Sequence, residues 1–209
     1  MTPILVTGAS GYLGHYMLRW LIAEGMPFVA TSRSGDVGVR WDLLREPPPD
    51  RVAAIPVVLH LAAVVPKTMA DYADETAAAQ NVAMVQALLA YPWRVVFASS
   101  HVAAHPTTAY ARSKAASEHL VAEAGGVIVR LPGLFGLPRR SGVIYEAAKR
   151  GVIPDSFGPS PAMAVEDAAR ALVQILQTLP AHSQPLDVVY GTRTQFDQRV
   201  QELVRQCAH

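Results

Sequence analysis

Short apolar runs alternate with amphipathic stretches along most of the chain. Residues 4–7 are apolar and end at a glycine turn, and residues 12–23 then carry apolar side chains at helical spacing. The alternation continues, and it predicts further strands over 28–32, 57–62, 95–99, 127–130 and 186–190 and further helices over 71–90, 109–124, 143–150, 165–179 and 194–207. Apolar strands separated by helices are typical of parallel βαβ units. The pattern predicts an α/β, Rossmann-like, doubly wound parallel sheet.

Two segments depart from this alternation. Residues 46–50 read Glu-Pro-Pro-Pro-Asp and cannot be helical, so the connection between Asp42 and Pro56 is expected to be a shortened crossover. After Arg130, glycines and prolines punctuate the chain. We therefore expect residues 1–209 to form a single Rossmann-type domain, with a reduced substrate-binding lobe at about 132–163 and in parts of 180–209.

The net charge and the cysteine content limit which binding partners and which cellular compartment are expected. The formal net charge of +1 offers no electrostatic reason for binding nucleic acid or an anionic membrane. Cys207 is the only cysteine, so no internal disulfide can form, and a reducing cytoplasm is the simpler expectation. The first residues lack the basic and long apolar regions of a secretion signal. A small molecule is the expected partner.

Glycines at positions 8, 11 and 14 follow the first strand and open the first helix. Such a turn lets the backbone approach a phosphate closely, and the amides at the start of a helix favour an anion. The spacing of three and three differs from the commoner dinucleotide fingerprint, in which the first two glycines are two apart. The turn predicts a pyrophosphate site only in combination with other features.

A second motif, Tyr110-Ala111-Arg112-Ser113-Lys114, predicts chemistry. Tyr110 and Lys114 lie four residues apart on a predicted helix, so the phenol and the ammonium project from the same face. The cation can stabilise a phenolate, whose ordinary pKa is about 10. Ser100 ends a strand at the edge where open α/β sheets bind ligands, and its hydroxyl can donate to a substrate oxygen.

Six motifs occur together in one order along nearly the whole chain: residues 7–14, 60–63, 99–100, 110–114, 130–136 and 165–169. In this combination the chain resembles the extended short-chain dehydrogenases/reductases of the NAD-dependent epimerase/dehydratase family. The resemblance implies that Ser100 and Tyr110 face a substrate oxygen and that Lys114 contacts the nicotinamide ribose. It also implies a cofactor site formed by Gly8, Ser10, Gly11, Tyr12, Leu13, Gly14, Ser32, Arg33, Asp42, Leu43, Leu61, Ala62, Ala63, Lys114 and Pro132.

Other polar residues have less specific roles. His60 ends a strand and is expected to be structural, whereas His101, directly after Ser100, is a candidate substrate contact together with Gly133 and Phe135. Asn81 either organises a water relay, as the resemblance suggests, or satisfies a bend in its helix. Arg112 and Glu118 are expected on a solvated helix face. The histidines lack the spacing of a metal site, and no metal is predicted.

Departures from the family pattern refine the prediction. Dehydratases carry an acidic pair after the catalytic hydroxyl residue, but here Ser100 is followed by His101 and Val102, which disfavours dehydration. NAD-preferring relatives usually have an acidic residue at the end of the second strand; Arg33 stands there and can pair with a 2′-phosphate, so NADP is expected, with NAD as the alternative. The short segment after Arg130 and the presence of Gly133 favour a small substrate.

These observations together predict an NAD(P)-dependent oxidoreductase that reduces a carbonyl or oxidises an alcohol with Tyr110 as the acid/base. A nucleotide-sugar 4-epimerase uses the same three residues and stays open as an alternative. A non-catalytic NAD(P)-binding sensor is the alternative from another class. A second copy of the chain could complete the substrate site, so a homodimer is compatible with the sequence.

Overall fold

The computed structural model describes residues 2–136, 162–180, 184–188 and 198. The predicted helices at 143–150 and 194–207, and most of the proposed substrate-binding lobe, lie outside these residues. The prediction that residues 1–209 form a single Rossmann-type domain therefore stays a prediction.

One seven-stranded sheet holds the structure together, and all of its strand pairs are parallel. The strands of the sheet are β1 (Ile4–Thr7), β2 (Phe28–Ser32), β3 (Val39–Arg40), β4 (Val57–His60), β5 (Arg94–Ser100), β6 (Val127–Leu131) and β9 (Leu186–Asp187). Their order across the sheet is β3-β2-β1-β4-β5-β6-β9. Strands β7 (Gly133–Phe135) and β8 (Ala162–Ala164) form a separate parallel pair. The Rossmann-like class predicted from the sequence is confirmed.

Helices cover both faces of the sheet. They are α1 (Tyr12–Ala23), α2 (Asp50–Ala53), α3 (Glu75–Leu89), α4 (Ala109–Glu123) and α5 (Val165–Thr178). Alternate residues of β1 point to opposite sides: Ile4 and Val6 pack in a core with α1 and α5, and Leu5 packs in a second core with α3 and α4. None of the helices in the described ranges combines the length and apolar content needed to cross a bilayer.

The predicted helix at 71–90 is divided in two. A 3₁₀ turn covers Ala70–Ala73, and α3 starts only at Glu75 because Asp74 caps it by accepting a hydrogen bond from the Ala77 amide at 3.0 Å. The Asp71 carboxylate instead binds the preceding loop, where it accepts hydrogen bonds from the amides of Lys67 and Thr68. Polar side chains that bond to nearby backbone compete with helix at these positions.

Smaller differences occur at two other places. The shortened crossover is confirmed, since the one-turn helix α2 is the only helix between β3 and β4. Strand β4 ends at His60 rather than residue 62, because its partner β1 ends at Thr7, which pairs with His60. Strand β9 spans Leu186–Asp187, and the end of its predicted range lies outside the described residues.

Candidate active site

The turn between β1 and α1 depends on two glycines that no other residue could replace without a shift of backbone. Gly8 has a φ of +71°, and a Cβ there would lie 2.5 Å from the Ala62 amide nitrogen. A Cβ on Gly14 would overlap the carbonyl oxygen of Gly8 and would lie 2.7 Å from that of Ala9. The turn, the start of α1 and the chain after β4 are therefore packed backbone against backbone.

The start of α1 has the form of an anion site. Gly11 is the N-cap and is exposed, and it has no side chain that could cap the amides of the first turn. Ser10 is exposed beside it, and Tyr12 and Leu13 are half-buried in the first turn. Uncapped amides at the end of a helix dipole attract a phosphate. These residues could hold the diphosphate of a dinucleotide, and the pyrophosphate site stays a prediction.

The loop after β2 is organised by a residue that the sequence analysis did not single out. The Asp36 carboxylate accepts hydrogen bonds from the hydroxyls of Ser32, at 2.8 Å, and Ser34, at 2.5 Å, and these bonds lower the pKa of Asp36. Arg33 is exposed at the same strand end. A basic and an acidic side chain therefore both lie at the place where the adenosine ribose is expected. The Ser-x-Ser-x-Asp spacing was the available signal.

Two further segments follow β3 and β4 at the same edge of the sheet. After β3, Asp42 is half-buried and Leu43 is buried. After β4, Leu61, Ala62 and Ala63 are half-buried in a chain that continues to Val64. Asn81 of α3 holds Val64 by accepting a bond from its amide at 2.7 Å and donating one to its carbonyl at 3.0 Å. In this structure Asn81 fixes the loop after β4, so it does more than satisfy a bend in its own helix.

Lys114 joins α4 to β5. Its Nζ donates a hydrogen bond to the carbonyl of Ala98 at 2.9 Å and lies 4.7 Å from the centroid of the Phe97 ring. Tyr110 lies one turn nearer the start of α4, with its ring centroid 5.9 Å from Nζ. Ser100 ends β5, two residues beyond Ala98. The contact of Lys114 with β5 thus brings the three predicted catalytic residues to the same end of the sheet.

Burial dominates the electrostatics of this pair. Burial raises the pKa of Tyr110, and neighbouring Tyr72 raises it further. Burial lowers the pKa of Lys114 to about 8, against an opposing effect of Glu118. The sequence predicted that Lys114 favours the phenolate. In this structure the Lys114 ammonium donates to a backbone carbonyl, and the raised pKa of Tyr110 keeps its phenol protonated at neutral pH. A buried phenol loses more from desolvation than a cation beyond direct contact returns.

A loop from β4 to α3 forms a wall beside Tyr110. Tyr72, in the 3₁₀ turn, meets the Tyr110 ring edge to face with centroids 5.8 Å apart. A cavity of about 250 Å³ adjoins Tyr110 and is lined by residues of this loop and of α3: Val64, Val65, Pro66, Lys67, Asp71, Asp74, Ala77 and Ala78. Tyr72 was missed from the sequence because nothing local relates it to a tyrosine 38 positions later.

The residues predicted to contact substrate differ in how far they are buried. His101 follows Ser100 in a 3₁₀ turn, but its Nε2 is buried and lies 3.8 Å from Asp187 of β9, so the ring contacts the edge of the sheet. Pro132 and Phe135 are buried, whereas Gly133 is exposed. The Ser100 hydroxyl oxygen accepts a long bond of 3.5 Å from the Val102 amide, which starts the turn that carries His101.

His60 is structural, as expected. It is buried, its Nδ1 lies 2.7 Å from the Thr7 hydroxyl on the neighbouring strand, and its ring stacks on Phe97. Burial and the charge of Lys114 lower its pKa to about 3, which keeps the ring neutral. Within the ranges that the structure describes, no three His, Cys, Asp or Glu side chains group closely enough to hold a metal ion.

The expectation for Glu118 was wrong. Arg112 is exposed and pairs with Glu75 of α3, as a solvated helix face requires, but Glu118 is only 6% exposed. Its carboxylate accepts two bonds from Arg130 of β6, at 2.9 and 2.6 Å, and one from the Ser99 hydroxyl at 2.5 Å. The charged Glu118 side chain can be buried because Arg130 of β6 supplies a guanidinium whose geometry matches the carboxylate.

Solved structures resemble this fold at low sequence identity. A UDP-N-acetylglucosamine 4-epimerase from Bacillus cereus is 18% identical, with 98% of this chain and 85% of that protein covered and a TM-score of 0.70. A UDP-glucose 4-epimerase from Thermus thermophilus in complex with NAD is 21% identical, with 98% and 84% covered and a TM-score of 0.69. An NAD-dependent NDP-hexosamine 5,6-dehydratase involved in tunicamycin biosynthesis is 20% identical, with 97% and 81% covered and a TM-score of 0.72.

Comparison with proteins of curated function finds no match. The family model of the NAD dependent epimerase/dehydratase family matches residues 4–191, which include the glycine turn, Tyr110 and Lys114. The match extends over most of the sheet and helices described above, and the resemblance inferred from six sequence motifs is confirmed. The chain belongs to the NAD dependent epimerase/dehydratase family.

Proposed function

We propose that this protein is an NAD(P)-dependent oxidoreductase that reduces a carbonyl, or oxidises an alcohol, on a small substrate. The observation that carries the proposal is the bond of Lys114 Nζ to the Ala98 carbonyl, because it brings Tyr110 next to the carboxyl end of β5 and Ser100. A proton-transferring phenol, a hydroxyl donor and a cation then meet at the sheet edge where α/β enzymes bind ligands.

Each of the three residues has a role that its chemistry allows. The Ser100 hydroxyl donates a hydrogen bond to the substrate oxygen and orients it. Tyr110, whose pKa is raised, carries its proton at neutral pH and delivers it to that oxygen during reduction. Lys114 holds the ribose hydroxyls near the phenol and stabilises the charge that forms there. The nicotinamide cofactor, when bound, supplies or accepts the hydride.

The residues predicted from the sequence would hold the cofactor. Gly8, Gly11 and Gly14 would bind the diphosphate, with Ser10, Tyr12 and Leu13 beside it. Ser32 and Arg33 would bind the adenosine ribose. Asp42, Leu43, Leu61, Ala62, Ala63 and Pro132 would border the adenine and nicotinamide halves. The structural features that support this assignment are the exposed glycine at the N-cap of α1 and the close backbone packing at Gly8 and Gly14.

The substrate lobe is proposed at about 132–163 with parts of 180–209, and the residues proposed to contact substrate are His101, Gly133 and Phe135. The cavity beside Tyr110 is about 250 Å³ and is lined by the loop after β4, by α3 and by Tyr110 itself. The short segment after Arg130 and the presence of Gly133 are the features that favour a small substrate. A second copy of the chain could complete the site.

A nucleotide-sugar 4-epimerase is the second candidate. It needs the same hydroxyl, phenol and cation, and two of the three structural neighbours described above carry epimerase names. An epimerase retains its cofactor and returns the hydride to the same substrate, whereas a reductase releases the oxidised cofactor. A sensor that binds NAD(P) without turnover is a less supported alternative, since it would not need three converging catalytic side chains.

The experiment that tests the proposal is a screen of carbonyl compounds and alcohols, followed by nicotinamide absorbance with NADPH and NADH. We expect cofactor-dependent turnover of at least one small carbonyl compound and a purified protein that exchanges its cofactor freely. Cofactor that stays bound through gel filtration, with micromolar binding of a nucleotide sugar by calorimetry, would place the epimerase first. Exchangeable cofactor without turnover across the panel would favour the sensor.

Cofactor preference gives a second prediction. We expect NADPH to bind more tightly than NADH, because Arg33 can form paired bonds with a 2′-phosphate. Arg33→Ala should weaken NADPH binding about tenfold or more, the effect of losing a charge-assisted bond of about 1.5 to 3 kcal/mol, and should leave NADH binding nearly unchanged. Fluorescence titration with both cofactors measures this.

The matched control is Asp36→Asn. The amide oxygen can still accept the bonds from Ser32 and Ser34, but the negative charge beside the ribose site is removed. NADPH binding should tighten relative to NADH, the opposite direction from Arg33→Ala. Tighter binding of NADH than NADPH by the unaltered protein would reject the NADP assignment.

A further inference from the structure

The Lys114 side chain is buried in surroundings that disfavour its charged form. It is 5% exposed, and its contacts are one carbonyl, that of Ala98, and the rings of Phe97 and Tyr110. Burial favours its neutral amine, which could neither hold a ribose hydroxyl as a cation nor stabilise a developing phenolate. Some nearby negative charge must therefore oppose this burial.

Glu118 is the residue in position to do so. It follows Lys114 by four positions on α4, so both side chains project from the same face of the helix, with Cβ atoms about 5 to 6 Å apart. Its own carboxylate is held from two strands: Arg130 of β6 donates two bonds to it, and the Ser99 hydroxyl of β5 donates a third. The carboxylate cannot swing away into solvent.

We propose that Glu118 is a positioning residue for Lys114, whose carboxylate, fixed by Arg130 and Ser99, keeps the buried ammonium protonated and directed at the end of β5. The pair with Arg130 makes burial of Glu118 tolerable, and the one-turn spacing applies its charge to Lys114. The cluster therefore links the second core to the catalytic end of the sheet. The role of the Lys114 ammonium in catalysis rests on the proposed function. The effect of Glu118 on the protonation of Lys114 does not depend on that function.

No other carboxylate among the described residues performs this task. The titratable groups around the ammonium are His60 on β4, which is neutral, Tyr110 on α4, and Tyr72, which contacts Tyr110 from the 3₁₀ turn. Arg130 of β6 lies beyond Glu118 and is itself positive. Removal of the Glu118 charge would thus leave Lys114 with neutral and positive neighbours only.

The test uses the fact that the chain has three lysines, Lys67, Lys114 and Lys149. Lysine labelled at its terminal carbon gives three NMR signals that titrate with pH, and the signal missing in Lys114→Arg is that of Lys114. We expect the Lys114 midpoint near 8 in the unaltered protein. In Glu118→Gln it should fall by about one unit, the usual effect of one close charge. The Lys67 midpoint should not move.

Two further variants separate charge from structure. Arg130→Gln damages the same cluster but leaves the negative charge, so the Lys114 midpoint should stay or rise. If Glu118→Gln does not fold because Arg130 is left unpaired, the double variant Glu118→Gln/Arg130→Gln removes the whole pair, and it should also lower the midpoint. An unchanged midpoint in Glu118→Gln or in the double variant, or an equal fall in Arg130→Gln, would overturn the proposal. None of these outcomes depends on finding a substrate.

Discussion

Tyr110→Phe should lower turnover about 10² to 10⁴-fold, the usual contribution of a positioned proton donor. The substitution removes one hydroxyl and keeps the ring, so the edge-to-face packing against Tyr72 and the contact with Lys114 are preserved. Cofactor affinity should change by less than about twofold, because the interaction is lost mainly in the transition state. Steady-state kinetics with a substrate from the screen, together with cofactor titration, measure both quantities.

Tyr72→Phe is the matched control. It removes a hydroxyl from the neighbouring ring and leaves Tyr110 intact, so turnover should stay within about threefold of the unaltered protein. Near-normal turnover in purified Tyr110→Phe would remove Tyr110 from the mechanism. Equal losses in the two variants would indicate a general disturbance of the loop rather than the loss of a proton donor.

Gly14→Ala should destabilise the protein and abolish tight cofactor binding, although local propensity predicts the opposite. Alanine favours a helix interior over glycine by about 1 kcal/mol. In this structure, however, a Cβ at Gly14 would overlap the Gly8 carbonyl oxygen and would lie 2.7 Å from the Ala9 carbonyl oxygen, so the backbone of the turn leaves it no room. Overpacking of this kind costs about 1 to 3 kcal/mol, and any shift of the turn displaces the proposed phosphate site.

Thermal unfolding and cofactor titration of Gly14→Ala test this directly, with Gly25→Ala as the comparison. Gly25 also lies at an end of α1, has a φ of +62°, and has open space around it, so its substitution should strain the backbone without touching the turn. Cofactor binding should therefore survive in Gly25→Ala. An unchanged or raised melting temperature in Gly14→Ala would show that the turn is looser than its packing indicates.

The sequence was most informative where structure depends on near neighbours. The bounds of α1 and β2 agree with the predicted ranges, and the Tyr110 and Lys114 spacing correctly predicted that both residues share a helix face. The sequence is less informative where polar side chains compete with the helix for backbone hydrogen bonds. Asp71 and Asp74 were both predicted to lie in a helix, but only Asp74 caps one, and Asp71 binds the loop before it. Which carboxylate caps a helix depends on the path of the loop before it.

The sequence by itself determined the parallel α/β fold, the glycine turn and the phenol–ammonium pair, because apolar periodicity and residue spacing act over a few positions. The tertiary structure alone decided that Lys114 contacts Ala98 and that Glu118 is buried against Arg130. A glutamate on a helix looks exposed until a guanidinium from another strand is seen to meet it. Such pairings depend on which strands become neighbours, and that is settled by packing across the whole sheet.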